Sequence, residues 1–131
     1  MLRILLVEDH KWVSIALESL LNDLPNAAII EHLMSENEAL DWLENNKLAW
    51  DLVITDLAIG KGSGLQILEA CKTRESHQKI IVLSNYLDDE TKRQCFSLGA
   101  NAVFEKASDV DEMFDYCRNI SKIILQTHTP T

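Results

Sequence analysis

Short runs of apolar residues alternate along the chain with longer stretches in which apolar positions recur at helical spacing. The runs are Ile4-Leu5-Leu6-Val7, Ala27-Ala28-Ile29-Ile30, Leu52-Val53-Ile54, Ile80-Ile81-Val82-Leu83 and Ala102-Val103-Phe104. Several are apolar at every position instead of every second one, the pattern of parallel strands buried on both faces. The stretches between them read as helices with recognisable ends. After Asp9, the residues Val13, Ala16, Leu17, Leu20, Leu21 and Leu24 make one apolar stripe, which Pro25 is expected to close. Ser35-Glu36-Asn37-Glu38 has the form of a capping box opening a second helix. Ser63-Gly64-Leu65-Gln66 does the same for a third, whose inner side would carry Leu65, Leu68 and Cys71. A fourth starts near Asp88-Asp89 and stops at Gly99, a residue suited to the left-handed position after a helix. Ser108 is expected to cap a fifth, with Val110, Met113, Phe114, Cys117, Ile120 and Ile124 turned inward. Strict strand–helix alternation predicts a doubly wound α/β domain with a five-stranded parallel sheet, because each parallel crossover needs a helix. The domain is expected over residues 1–125, with 126–131 a polar, frayed tail.

The length, 131 residues, allows one ordinary core. A hydrophobic share of 47% and a charged share of 25% fit a folded globule. The net charge of −9 would repel a phosphate backbone, so nucleic-acid binding by this domain is not expected. No apolar run approaches the roughly 20 residues of a membrane helix, and the N-terminal run is too short for a signal peptide. Cys71, Cys95 and Cys117 match neither a zinc site nor a disulfide framework and read as core residues in a reducing cytoplasm.

In doubly wound sheets, ligands bind beyond the carboxyl ends of the strands. Just past the apolar runs stand Glu8-Asp9, Asp56, Ser84-Asn85 and Lys106; the second strand, expected at an edge, offers only Glu31 and His32. Three carboxylates drawn together would repel one another unless their pKa values rise or a divalent cation binds. An oxygen-only, open site suits Mg²⁺, with Mn²⁺ as a substitute. With the charge of Lys106 and the hydroxyl of Ser84, the set resembles a cradle for a phosphoryl group. Gly60, Gly62 and Gly64 do not form a nucleotide phosphate loop. A covalently attached phosphate is therefore favoured, with Asp56 as candidate acceptor, since a carboxylate oxygen can form an acyl phosphate.

These segments, in order and in register, resemble the receiver domains of bacterial two-component response regulators, in particular the single-domain chemotaxis type. The matching stretches are Ile4 to His10, Asp51 to Leu57, Ser63-Gly64-Leu65, Ile81 to Ser84, and Leu98-Gly99-Ala100 through Lys106. The resemblance implies a flavodoxin-like (βα)5 fold with strand order 2-1-3-4-5. It implies that Asp56 takes a phosphoryl group from a histidine kinase or phosphotransfer protein. It makes Asp9, Asp56 and the backbone carbonyl of Ala58 direct Mg²⁺ ligands, with Glu8 acting through water. Ser84 and Lys106 would contact the phosphoryl group. Such a domain is a signalling protein, not an enzyme in the usual sense, although it catalyses its own phosphorylation and dephosphorylation. It would be cytoplasmic and a monomer or weak homodimer. Output would pass through the face of the fourth helix, fifth strand and fifth helix, including Lys92, Arg93 and residues 111–118, to a docking partner or a second copy.

Four features depart from the family pattern. Val103 stands where an aromatic switch residue is frequent, and Phe104 beside it must face the other side of the sheet. Ala107 follows Lys106 where proline is frequent, which removes the usual reason for a cis peptide. Gly60-Lys61-Gly62 replaces a Pro-Gly pair, so a more flexible loop is expected. Asn85 replaces a small residue and, with Ala58 and Tyr86 on the rim, is expected to tune the lifetime of the phosphorylated state. His10 reads as an exposed first-turn residue, and Trp12, Trp42 and Trp50 as packing residues. Two alternatives carry different chemistry: a pseudo-receiver that binds partners without phosphorylation, and an Asp-nucleophile phosphohydrolase. The second wants an acid two residues after the nucleophile, where this chain has Ala58.

Overall fold

The computed structural model describes residues 1–59, 62–85 and 87–127, with side chains as far as residue 123. The rim role expected of Tyr86, the flexibility expected around Gly60 and Lys61, and the inward face expected of Ile124 lie outside the described residues.

Each apolar run becomes a strand of one parallel sheet: β1 (Leu2–Val7), β2 (Ala27–Leu33), β3 (Leu52–Thr55), β6 (Lys79–Ser84) and β7 (Ala102–Glu105). Two short strands, β4 (Ala58–Ile59) and β5 (Gly62–Ser63), pair antiparallel just after β3. The helices are α1 (Lys11–Leu21), α2 (Glu36–Asn45), α3 (Gly64–Ala70), α4 (Asp89–Ser97) and α5 (Val110–Thr127). The large sheet runs β2-β1-β3-β6-β7, the expected order of a flavodoxin-like receiver fold. β1, β3 and β6 are central and nearly all buried, whereas β2 forms an edge with no fully buried residue.

Two cores flank the sheet. On one face Ile4, Leu6, Ile54, Ile81 and Phe104 pack with Leu17 and Leu21 of α1 and Met113 and Cys117 of α5. On the other, Leu5, Val7, Val53, Ile80 and Val82 meet Ala39 and Leu43 of α2, Ile67 and Leu68 of α3, and Cys95 of α4. Cys71, Cys95 and Cys117 are free and buried in these cores, as expected of them. Among the described residues no helix is long and apolar enough to cross a membrane.

The helix ends follow local chemistry with two corrections, and a third correction concerns the packing of a tryptophan. Ser35, Ser63 and Asp88 accept hydrogen bonds from the backbone N–H groups of Glu38, Leu65 and Thr91, as N-caps do. Gly99 adopts φ +104°, which closes α4 in the left-handed conformation. α1, however, ends at Leu21, before Pro25; Leu24 is buried but belongs to the turn. The turn is held by Asn26 at φ 59° and by the Ser121 hydroxyl, which donates to the carbonyls of Pro25 and Asn26. α5 is preceded by Asp109, not capped by Ser108: the Asp109 carbonyl accepts from Met113 N–H, and its carboxylate accepts from Glu105 N–H and the Ser108 hydroxyl. Ser108 thus supports the cap from outside. The third correction is Trp12, which is 73% exposed; Trp50 is 2% exposed and does pack.

Candidate functional site

Register brings the chemistry together. Val7 of β1 lies beside Thr55 of β3, so Glu8 and Asp9 leave the sheet next to Asp56. The Asp56 N–H donates to the Val7 carbonyl at 3.2 Å. Ser84 ends β6 opposite Glu105 of β7, and the Lys106 N–H donates to the Ser84 carbonyl at 3.0 Å. Four strand ends thereby surround one point, as a doubly wound sheet requires.

Asp56 is 7% exposed, and both its oxygens are engaged. The Ser84 hydroxyl donates to Oδ1 at 2.6 Å and the Ala58 N–H to the same oxygen at 3.2 Å. Lys106 Nζ donates to Oδ2 at 2.6 Å and also meets Glu8 Oε2 at 2.9 Å. One ammonium therefore serves two buried carboxylates. Burial works against the Lys106 charge, but its hydrogen bonds to Asp56 and Glu8 outweigh burial and hold its pKa above the usual lysine value. Burial pushes the Glu8 carboxyl up, repulsion from Asp56 adds to this, and hydrogen bonding from Lys106 opposes it. The directions are compatible: Lys106 gains from two anions, while Glu8 sets one shared cation against nearly complete burial.

Glu8, Asp9 and Asp56 each present a carboxylate oxygen, and the three oxygens lie within 4.8 Å of one another. A hard oxygen donor set this close fits a divalent cation of the Mg²⁺ type. Ala58 stands at the start of β4, where its carbonyl belongs to the same loop as Asp56. Asn85 is exposed beside Ser84 and lines an open cleft with Leu87, Asp88, Glu105 and Ala107. His10 is exposed, and its N–H donates to Glu8 Oε1 at 3.1 Å. A roomier cavity, about 680 Å³ and lined by Leu43, Trp50 and Cys71 among others, opens between the ends of α2 and α3, before β3 begins, and contains none of these groups.

The departures from the family pattern resolve physically. Val103 packs with the α2–α4 core, whereas Phe104 lies on the α5 side against Tyr116, ring centroids 5.9 Å apart and edge to face. Among the described residues there is no cis peptide. The segment after Asp56 carries the β4–β5 pairing, and Glu36 at the start of α2 reaches over to it: its Oε2 accepts from the Ser63 N–H at 2.6 Å. A side chain on Gly62 would collide with Glu36, and one on Gly64 would collide with the Asp56 carbonyl. Glu36 was not legible as a site residue, because its partner is 27 positions away and its place in a capping box already explains it.

An Asp held by a hydroxyl and an ammonium beside two further carboxylates, at the open end of a five-stranded doubly wound sheet, points to the receiver class of signalling domain. The chain belongs to the response regulator receiver domain family, whose profile matches residues 4–118. It is 30% identical over 126 residues to the transcriptional regulatory protein LiaR of Bacillus subtilis, covering 93% of this chain and 57% of that protein. It is 22% identical over 120 residues to the response regulator UvrY of Escherichia coli, covering 92% of this chain and 54% of that protein. The chain thus spans a little over half the length of these curated relatives. The signal receiver domain of a DNA-binding response regulator from Colwellia psychrerythraea superposes with a TM-score of 0.81 at 23% identity, over 93% of this chain and 99% of that one. A response regulator from Burkholderia pseudomallei, solved with a phosphorylated aspartic acid and a calcium ion, superposes with a TM-score of 0.75 at 21% identity, over 98% of this chain and 74% of that one. Receiver domains are signalling domains of two-component systems.

Proposed function

We propose that the chain accepts a phosphoryl group on Asp56 from a phosphohistidine of a histidine kinase or phosphotransfer protein, and signals through the resulting change in conformation. The observation that carries this reading is Asp56 itself: a buried carboxylate with Ser84 on one oxygen and Lys106 on the other. Asp9, Asp56 and the Ala58 carbonyl would hold Mg²⁺ directly and Glu8 through water; when bound, the ion neutralises charge on the transferring group. An oxygen of Asp56 attacks phosphorus as the P–N bond breaks. The bonding pair returns to the donor ring, which is protonated on its other nitrogen before transfer, keeps that proton, and so leaves as neutral imidazole. Lys106 stabilises the in-line charge, and Ser84 donates to the phosphoryl group.

The same hydrogen bonds explain a signal. In the free protein Ser84 and Lys106 are committed to Asp56; after transfer the better acceptors are phosphoryl oxygens, so both side chains re-aim. Ser84 ends the strand before α4, and Lys106 follows β7, so the change is delivered to the α4–β7–α5 face. That face carries Lys92, whose ammonium lies 3.9 Å from Glu105, and Arg118, stacked 4.9 Å from the Phe114 ring centre. A docking partner or a second copy would read it, shifting a pre-existing equilibrium between conformers. By likeness to response regulators, the protein works in the cytoplasm with residues 1–125 as the receiver unit. Phosphoramidate, whose P–N bond mimics phosphohistidine, tests the acceptor. Borohydride reduction of the product, followed by peptide mass spectrometry, should find homoserine in place of Asp56; homoserine at another position, or none, sinks the assignment.

A further inference from the structure

His32 sits on the edge strand β2. Its imidazole is well covered, with 23% of the side chain exposed, and it reaches across to the loop that carries the carboxylates. Nε2 lies 2.9 Å from the backbone carbonyl of Glu8. A carbonyl can only accept, so this contact requires the proton on Nε2. On the ring's other side Nδ1 stands 3.6 Å from Glu18 Oε1, on α1. The Glu8 N–H meanwhile donates to the Leu33 carbonyl at 3.0 Å, so β2 grips Glu8 at both ends of the residue. The next residue is Asp9. The peptide that His32 fixes is therefore the one joining the two acids of the β1–α1 loop.

We propose that His32 is a positioning residue for the metal site: its Nε2–H locks the Glu8–Asp9 peptide so that both carboxylates are presented at the geometry a divalent cation needs. The inference rests on the metal reading given above. Groups that orient ligands without touching the ion typically contribute about 10- to 100-fold in affinity, and among the described residues His32 is the side chain that donates to the Glu8 carbonyl.

Two measurements on the whole chain test this separately from the metal reading. The first is the Mn²⁺ dissociation constant, read from free Mn²⁺ by electron paramagnetic resonance, for wild type, His32→Ala and His32→Gln. The alanine variant should bind about tenfold more weakly. The glutamine variant, whose amide N–H reaches about as far as Nε2–H, should recover most of the loss. Equal affinity in the alanine variant overturns the proposal, and so does a loss that glutamine leaves unrepaired, which would mark general damage to the edge strand. The second measurement needs no metal: amide exchange at His10, whose N–H rests on the Glu8 side chain, should quicken in His32→Ala and slow again in His32→Gln. Unchanged exchange overturns the positioning role. A wild-type chain that binds no Mn²⁺ refutes the metal site itself, and the exchange result then decides the role of His32 alone.

Discussion

Replacing Lys106 with methionine keeps an unbranched stem of similar length and removes the ammonium that Asp56 and Glu8 share. The side chains of Lys106, Asp56 and Glu8 are 12%, 8% and 2% exposed, so solvent does little to screen the charges left behind. Deleting one partner of a buried ion pair costs about 3–5 kcal/mol; the lower end applies here, because the site opens at the rim and Glu8 can take up a proton. A loss of about 3 kcal/mol corresponds to a urea midpoint lower by about 1–3 M at the slopes usual for a small domain. The sign of the pH dependence follows from Glu8, whose folded pKa already lies above its unfolded value because of burial. Without Lys106 that value climbs further, and an acid whose folded pKa is raised loses stability as pH rises through it. The gap to wild type should therefore be wide at about pH 7.5, where Glu8 must be charged or pay for its proton, and narrower at about pH 5. Mg²⁺ should narrow it at the higher pH by supplying charge to the same carboxylates. Urea unfolding followed by circular dichroism measures all three. A gap below about 0.5 kcal/mol at neutral pH, or one that widens on acidification, would refute the claim that Lys106 holds the carboxylate cluster together.

Three further outcomes are expected. Burial opposes the charge of Asp51, but its hydrogen bonds from the Arg3 guanidinium and N–H prevail and hold its pKa below the usual value. Its stabilising contribution is thus complete above the unfolded pKa of about 4 and lost as pH falls through the folded value; Asp51→Asn should flatten the acid limb of the stability profile, and an unchanged limb contradicts this. Gly64→Ala pushes a methyl group into the Asp56 carbonyl and should slow labelling by acetyl phosphate about tenfold or more, in line with the cost of misplacing a reacting group; a normal rate would show the loop absorbs the displacement. Asn85→Ala should change the half-life of the phosphorylated state without changing its site, measured by loss of the phosphoryl mass; an identical half-life removes Asn85 from the rim's function.

The sheet and its rim were legible because both are written locally. Each strand of the large sheet contains a short continuous apolar run, and Glu8, Asp9, Asp56, Ser84 and Lys106 follow such runs at the end where a parallel sheet gathers its loops. What escaped sequence reading depends on distant partners. Glu36 meets Ser63 and His32 meets Glu8 across the fold, and no periodicity encodes either contact. Trp12 misled where Leu24 did not: Leu24 is buried as expected, although its helix has already ended. Hydrophobicity says that a residue gains by burial, but whether a neighbour covers it is decided by the path of the chain, which leaves Trp12 in solvent and buries Leu24 after its helix has ended. Ser108 and Asp109 are both good capping residues, and only the hydrogen bonds from Met113 and Glu105 decide between them.

The central claim, that this receiver domain takes a phosphoryl group on Asp56 with the help of a divalent cation, is tested most directly by intact-protein mass after incubation with acetyl phosphate, with and without Mg²⁺, beside Asp56→Asn. A single phosphoryl adduct that requires Mg²⁺ and is absent from the Asp56→Asn protein is the expected result. No adduct under any condition, or an adduct of equal yield in the Asp56→Asn protein, would contradict it and leave a receiver fold that works by binding alone.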